Sequence, residues 1–421
     1  MILKQKGTVD IFGTDALKWQ YVESLIKDLC QTYNYSWIRT PVFEATELFH
    51  RGVGETTDIV TKETYDFKDR GERNITLRPE GTAGVVRSYI ENKMYGGATQ
   101  PVKFFYIEPM YRYERPQSGR LREFSQFGCE VIGCDDAYID AEIISMPVNL
   151  FKTLGLRNVK VELNSLGDKE SRENYREALI NYLKPHINEL CDDCKVRLEK
   201  NPLRILDCKV DGDNEIIKKA PKTIDYLTSE AKKRFLDVKH YLEIMDIPYE
   251  VNPKIVRGLD YYNHTVFEIM ADIDTMGSQS TLAAGGRYNG MIETLGGPST
   301  PAIGFACGLD RLMLALEKED IELPIKNWVD VYIMYVSDTE KDYAVNICQT
   351  LRLSGFDIEM ENMGRSLKAQ FKQADRLNAK FLIILNDEDI NKKMIKIKDN
   401  VTKEEVTINE DELVDYINMN M

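Results

Sequence analysis

Four stretches of the sequence carry residue types that could do chemistry together. The densest is 106–133, YIEPMYRYERPQSGRLREFSQFGCEVIG. Arg112 ends one strand-like run, Arg115, Arg120 and Arg122 sit in or beside a polar loop, and Phe124 begins the return run. Guanidinium groups hold phosphate oxygens bidentately and aromatic faces stack on bases, so this hairpin suits a nucleoside triphosphate. A solvated charged hairpin would have the same composition, although so many Arg, Glu, Gln and Tyr among apolar strand residues need partners if they are buried. RGLDYYNHTVFE (257–268) opens on Arg257 and, read as a strand, points Tyr261 and Tyr262 to opposite faces. An arginine, a tyrosine hydroxyl and a carboxylate can together bind a small zwitterion; an amphipathic strand packed by Val266 and Phe267 is the alternative. In AIGFACGLDRLML (302–314) glycines let a strand turn closely into a helix, with Arg311 in the first helical turn beside an anion-favouring N-terminus. In TLRPEGTAG (76–84) Glu80 and Thr82 flank a glycine. An acid and a hydroxyl there could hold an ammonium group, or the segment could be only a turn.

Hydrophobic period and turn residues indicate the elements that must position these groups. Residues 102–114 and 122–133 are two strand-like runs, and the loop RPQSGRL favours antiparallel pairing between them. Leu17, Tyr21, Leu25 and Leu29 recur at helical spacing over 15–34. YSWIRTPVFEATELF (35–49) reads as one strand carrying Pro41, which cannot donate to a ladder and puts the strand at an edge or takes it out of the sheet. Residues 64–82 are hairpin-like around Asp69-Arg70-Gly71, and 138–154 read as a helix. From 168 to 250 the chain is charge-rich and mostly helical, and looks inserted between two strand-rich halves. Residues 302–320 read as strand, turn and helix, and 318–328 as a polar linker. DVYIMYV, KDYAVNICQTLRLSG, FDIEME, SLKAQFKQADRLN and FLIILN then follow in βαβαβ order, which favours a parallel or mixed sheet.

Composition bounds the function. The 421 residues are 43% hydrophobic and 29% charged, enough for large cores under a polar surface. Disordered, collagenous and disulfide-stapled classes are excluded. Lys and Arg number 55 against 69 Asp and Glu, a net charge of −14. Nucleic acid must therefore be met by local basic patches rather than by bulk charge. No stretch approaches the roughly 18 apolar residues of a membrane helix, and MILKQKGTVDIFG lacks the apolar core of a signal peptide. A cytoplasmic location is expected.

Taken together, the four stretches resemble the histidyl-tRNA synthetase family of class II aminoacyl-tRNA synthetases. YRYERPQSGRLREFSQFGCEV is similar to the second motif of that class, GFACGLDRLML to the third, and RTPVFE to the first, dimer-forming one. RGLDYYNHTVFE and AAGGRY resemble two peptides peculiar to the histidine enzymes. The resemblance implies an α+β catalytic domain on an antiparallel sheet with flanking helices (1–167 and 251–320). It also implies a helical insertion (168–250) and a C-terminal α/β mixed-sheet anticodon-binding domain (329–421) after the linker. The implied reaction is ATP-dependent ligation of L-histidine to its tRNA through histidyl-adenylate, releasing AMP and pyrophosphate, with Mg2+ on the ATP phosphates and no organic cofactor, by a homodimer.

The resemblance also implies residue roles. Glu80, Thr82 and Gln126 hold the α-amino group, while Glu130 and Tyr262, with Tyr261 nearby, read the imidazole. Arg112 and Arg257 face the reacting centre from opposite sides, so both contact histidine and α-phosphate. Glu114 and Arg120 hold the triphosphate tail, and Phe124 and Arg311 sandwich adenine. Arg115 and Gln117 reach the tRNA acceptor end. Arg365, Lys368, Lys372 and Arg376, at steps of three and four along one helical face, meet tRNA phosphates or are simply a solvated stripe. A related regulatory subunit of ATP phosphoribosyltransferase would lack residues 329–421, and synthetases for threonine, proline or glycine would lack the RGLDYY and AAGGRY pair. Cys191, Cys194 and Cys208 have zinc-like spacing. They make only three ligands, and His186 and His240 complete no regular pattern, so unliganded thiols are favoured and no metal site is expected.

Overall fold

The computed structural model describes the whole chain except residues 55, 56, 58, 98, 207, 209, 213, 256–260, 272, 274, 275 and 277–279. The chain divides into two compact units, one of Met1–Ile11 and Trp19–Leu323, the other of Phe12–Lys18 and Pro324–Met421.

In the first unit the strands are β1 (Ser36–Trp37), β2 (Phe43–Ala45), β3 (Tyr65–Lys68), β4 (Asn74–Leu77), β5 (Val102–Tyr111), β6 (Glu123–Ile132), β7 (Val159–Ser165), β8 (Tyr249–Val251), β9 (Asn263–Ala271), β10 (Thr281–Arg287) and β11 (Ala302–Gly308). An eight-stranded sheet runs β1-β5-β6-β11-β10-β9-β7-β8. Its interior is antiparallel, as the sequence led us to expect; only the outermost pairs, β1 with β5 and β7 with β8, are parallel. A small sheet, β2-β4-β3, stands apart from it.

The two faces of the large sheet differ because strand residues alternate. On one face Phe127, Cys129 and Val131 of β6 and Ile303, Phe305 and Cys307 of β11 are buried. They pack with helix Ala137–Thr153 and with Val22, Ile26 and Cys30 of helix Thr14–Thr32. The first helix is thus where its periodicity puts it, but its most buried stripe lies one position beyond Tyr21, Leu25 and Leu29, which are only partly buried. On the other face β6 offers Phe124, Gln126, Gly128 and Glu130, and β11 offers the small residues Gly304, Ala306 and Gly308 directly opposite Glu130, Gly128 and Gln126.

The single strand expected over 35–49 is broken. β1 lies at the edge of the large sheet, Pro41 falls between strands, β2 joins the small sheet, and Thr46–Val53 is a helix. Helical burial of Leu48, Phe49 and Val53 overrides the strand pattern there. A buried pair braces the break. Arg78 donates to Glu108 at 2.7 Å and to the Pro109 carbonyl at 2.8 Å, and Glu108 accepts from the Thr40 backbone and hydroxyl. This fixes the approach of Pro79 and Glu80 to the end of β5. The expected turn after β11 is absent, because helix Leu309–Lys318 follows Gly308 directly. Between β7 and β8 the chain is helical, with its own small core around Tyr175, Leu179 and Leu183.

The second unit holds β12 (Val331–Met334), β13 (Ile358–Met360), β14 (Phe381–Ile384), β15 (Met394–Asp399) and β16 (Glu405–Asn409). They form a mixed sheet, β13-β12-β14 parallel and β14-β15-β16 antiparallel. The βαβαβ reading matches the first three strands. The β15–β16 hairpin and the final helix Leu413–Asn420 go beyond it. Among the described residues no helix is long and apolar enough to cross a membrane.

Candidate active site

A cavity of about 540 Å³ lies over the small-residue stretch of β11 and the polar face of β6, wholly within the first unit. Glycine makes the room. A Cβ on Gly304 would lie 1.7 Å from Glu130 Oε2, and one on Gly128 would lie 2.3 Å from the Tyr106 ring. Glu80, Thr82, Arg112, Glu114, Arg120, Phe124, Gln126, Tyr261, Tyr262 and Arg311 all line this one space, although 231 residues separate the first from the last.

One end is positive. Arg112 donates Nε to the Pro79 carbonyl at 2.9 Å, and its guanidinium lies 5.2 Å from the centre of the Phe124 ring. Arg120 pairs with Glu114 at 3.3 Å, and its buried Nε finds no partner among the described residues. Arg311 donates to the Gly119 and Thr281 carbonyls, each at 3.2 Å. Burial, with Arg120 and Arg112 nearby, lowers the Arg311 pKa. Crowded guanidinium groups of this kind call for an anion. The arginines of the hairpin therefore separate by role. Arg122 turns away, lying 4.1 Å over the Tyr113 ring and donating to the Glu114 carbonyl. Arg115 and Gln117 are exposed on the loop, where Gln117 and Arg120 bridge through their backbones.

The other end is built of acids and hydroxyls. Glu80 accepts the backbone N–H groups of Thr82 and Ala83 at 2.9 and 2.7 Å, where helix Thr82–Glu91 begins. Burial raises its pKa against those N–H groups and Arg112. Glu130 is not itself among the lining residues. Its carboxyl lies one hydrogen bond behind them, accepting from Thr82 at 2.7 Å, Tyr288 at 2.6 Å and Tyr106 at 3.5 Å. Burial pushes its pKa up to about 8, although those hydroxyls pull it down. Gln126 Oε1 is buried and without a partner among the described residues, an acceptor facing the cavity. Tyr261 and Tyr262 were expected on opposite faces of a strand. They precede β9, where period two does not apply, and both rings line the cavity with centroids 4.5 Å apart. Arg257 lies outside the described residues.

The model of a family described as histidyl-tRNA synthetase matches residues 7–312, and that of an anticodon binding domain matches 330–420. The chain belongs to the histidyl-tRNA synthetase family. A histidine–tRNA ligase of Bacillus cytotoxicus is 53% identical over 412 residues, 98% of this chain and 97% of that protein. One from a Geobacillus species has the same identity and coverage. The crystal structure of the apo S. aureus histidyl-tRNA synthetase is 44% identical, with a TM-score of 0.86 over 99% of this chain and all of that one. The fold is accordingly the class II one, a large sheet with helices followed by a domain with its own sheet.

Several residues that shape the site in this family member were not singled out from sequence. Tyr288 and Tyr106 hold Glu130, Gly304 makes space for it, and Glu268 reaches the cavity while accepting from Thr281 at 3.1 Å. AAGGRY and YIEP contained the two tyrosines, but nothing in their spacing pointed at an acid elsewhere in the chain. In the second unit, Lys368, Lys372 and Arg376 are exposed on helix Leu367–Arg376. Arg365 precedes that helix and pairs with Glu361 at 3.2 Å, which takes it off the expected stripe. On the same helix Ala374 is buried and Leu367 is exposed.

Proposed function

We propose that the cavity joins ATP and histidine into histidyl-adenylate and that the chain passes the histidyl group to its tRNA, the activity of the family to which it belongs. The observation that carries this reading is the single cavity with three guanidinium groups at one end and a carboxyl, hydroxyl and amide cluster at the other. Such a cavity is polarised for a nucleotide and a small zwitterion held side by side.

Histidine's carboxylate oxygen attacks the α-phosphorus in line; one P–O bond forms as the bond to pyrophosphate breaks. No covalent bond to the enzyme is needed, so catalysis is positioning and charge stabilisation. Arg112, with Arg257 opposite it by the family resemblance, meets the charge on the α-phosphate. Arg120 and Glu114 hold the tail, and Phe124 and Arg311 take the adenine. Glu80, Thr82 and the unpartnered acceptor of Gln126 take the α-ammonium. Tyr262, beside Tyr261, reads the imidazole, with Glu130 acting from behind the lining through the hydroxyls of Thr82 and Tyr288, and isosteres lacking the imidazole nitrogens leave buried groups unpaired. The carboxylates of Glu114 and Glu268 fit a hard cation arriving with ATP. Those two carboxylates would hold the magnesium, which would supply charge screening for the phosphates. A terminal ribose hydroxyl of tRNA then takes the acyl group, and AMP leaves.

We also propose that residues 1–167 and 251–320 form the catalytic domain, 168–250 the insertion and 329–421 the tRNA-binding domain. Arg115 and Gln117 meet the acceptor end, and Lys368, Lys372, Arg376 and Arg365 meet phosphates. The active form is a cytoplasmic homodimer, a reading that the edge position of β1 and the exposed Trp37 and Phe43 support. The test is exchange of labelled pyrophosphate into ATP. It should require histidine among the amino acids, and Arg112→Ala should slow it by roughly 10²–10³-fold, the scale of losing one charge-stabilising group. Histidine-independent exchange, or none from folded protein, removes the proposal.

A further inference from the structure

Within the helical insertion, the cysteines expected as unliganded thiols gather around a point. Cys191, Cys194, Cys208 and Asp211 each offer one donor atom, and all four atoms lie within 4.8 Å of one another. By spacing alone the cysteines make three ligands, with His186 and His240 the candidates for a fourth. Neither histidine is a member of the cluster. His186 is exposed and pairs with Glu189 at 3.0 Å, and His240 lies on helix Ser229–Ile244 against Tyr241. The fourth donor is a carboxylate, and it makes the pattern regular: Cys-x-x-Cys at 191–194 and Cys-x-x-Asp at 208–211.

We propose that these four residues form a structural zinc site that holds the insertion together. Three lines of geometry carry it. First, with Zn–S bonds of about 2.3 Å, the edge of a tetrahedral site is about 3.8 Å. The Cys191 and Cys208 sulfurs are 3.7 Å apart, and Cys208 Sγ is 3.8 Å from Asp211 Oδ2. Second, both turns are closed through the backbone. The Cys194 N–H donates to the Cys191 carbonyl at 3.0 Å, and the Asp211 N–H donates to Cys208 Sγ at 3.5 Å. A donor placed like the latter stabilises metal-bound thiolate and fixes its direction. Third, the donors are largely sequestered. Cys194, Cys208 and Asp211 are buried, and among the described residues no lysine or arginine pairs with Asp211, which accepts the Cys191 N–H at 2.9 Å. Among the described residues, this buried carboxylate beside three sulfurs has no counter-charge, and a divalent ion would provide one.

Three thiolates and one carboxylate form a soft, four-coordinate set that suits zinc rather than calcium or magnesium. No coordination position is left for substrate, so the role is structural. Binding moves the thiol protons to solvent and changes no oxidation state. The need is also visible. The chain from Lys184 to Tyr226 folds largely as short helical turns around a small core to which Cys194 and Cys208 themselves belong, and cores of that size commonly require a metal or disulfide.

The experiment uses the full chain, purified reduced and without chelator, with metal measured by plasma mass spectrometry. Roughly one zinc per chain is expected, the count of one tetrahedral site. After chelation, cobalt(II) should restore one equivalent with thiolate-to-metal charge transfer and the strong visible bands of a tetrahedral ion. Asp211→Ala and Cys194→Ser should each lower zinc retention at least about tenfold, while Cys348→Ser, in the other unit, should not. Asp211→Cys preserves four donors and guards against simple misfolding. It should keep the zinc and raise the cobalt charge-transfer band by about a third, as four thiolates replace three. Wild-type protein that carries no zinc and takes up none when reduced overturns the proposal. So does zinc content indifferent to both ligand deletions, or a cobalt spectrum without thiolate charge transfer.

Discussion

Glu130 concentrates the site's electrostatics in one residue. Three hydroxyls point at its carboxyl, and yet burial dominates and pushes its pKa from the ordinary 4.5 to about 8. Between those values the folded protein holds a proton that the unfolded chain has released, so this residue lowers stability as pH rises. The loss runs at up to about 1.4 kcal/mol per pH unit and levels off above the folded value. Thermal unfolding of the ligand-free protein should therefore fall more steeply from about pH 5 to about pH 8 in the wild type than in Glu130→Gln, which cannot ionise. Parallel midpoint curves for the two proteins would show that the carboxyl is charged throughout. Residues such as Glu80, Arg112 and Arg311 were legible in sequence because each stands in a short motif with a chemical reason for its composition. Tyr288 was not, since its bond to Glu130 spans 158 residues and local spacing holds no trace of such a contact.

At the scale of elements, the site depends on a strand with one large and one small side. β11 alternates Ile303, Phe305 and Cys307 toward the core with Gly304, Ala306 and Gly308 toward the cavity. Gly304→Ala should be severe despite adding a single carbon, because its Cβ would meet Glu130 Oε2 at 1.7 Å and the Cys129 carbonyl at 2.6 Å. Backbone cannot yield as a flexible side chain can, so a loss of about 1–3 kcal/mol is expected, together with weakened histidine binding. Ala306→Gly, on the same face, should leave binding near normal. Denaturant titration and histidine calorimetry on both variants check this, and a Gly304→Ala protein that binds histidine normally contradicts the geometry. Alternation makes β5, β6 and β11 readable from sequence, and it also runs through Ile395 and Ile397 of β15 and Val406 and Ile408 of β16. The 35–49 segment failed differently. Its aromatic and β-branched residues suit a strand locally, but the burial that makes Thr46–Val53 a helix comes from the tertiary core around Phe49 and Val86.

At the scale of the molecule, the cavity and the stretch that matches an anticodon-binding domain lie in separate units. Every residue lining the cavity lies between Glu80 and Arg311, inside the first unit. The second unit has a separate core built on Val331, Ile333, Phe381 and Ile395. Residues 329–421 carry 12 basic and 18 acidic side chains, a net of −6, so their contribution to tRNA binding must come from a local patch and from shape rather than from overall charge. Ending the chain after Leu323 should then spare histidine-dependent pyrophosphate exchange to within about tenfold, since the adenylate-forming groups stay together. Aminoacylation at limiting tRNA should fall by at least about a hundredfold, the scale of losing contacts worth some 3 kcal/mol. In the full chain, the triple variant Lys368→Ala, Lys372→Ala, Arg376→Ala should raise KM for tRNA, flatten its salt dependence and leave exchange unchanged. If truncation abolishes exchange while circular dichroism reports a folded protein, the second unit contributes to the adenylation site itself. If instead the triple variant charges tRNA normally at every salt concentration, the exposed stripe is only a solvated face.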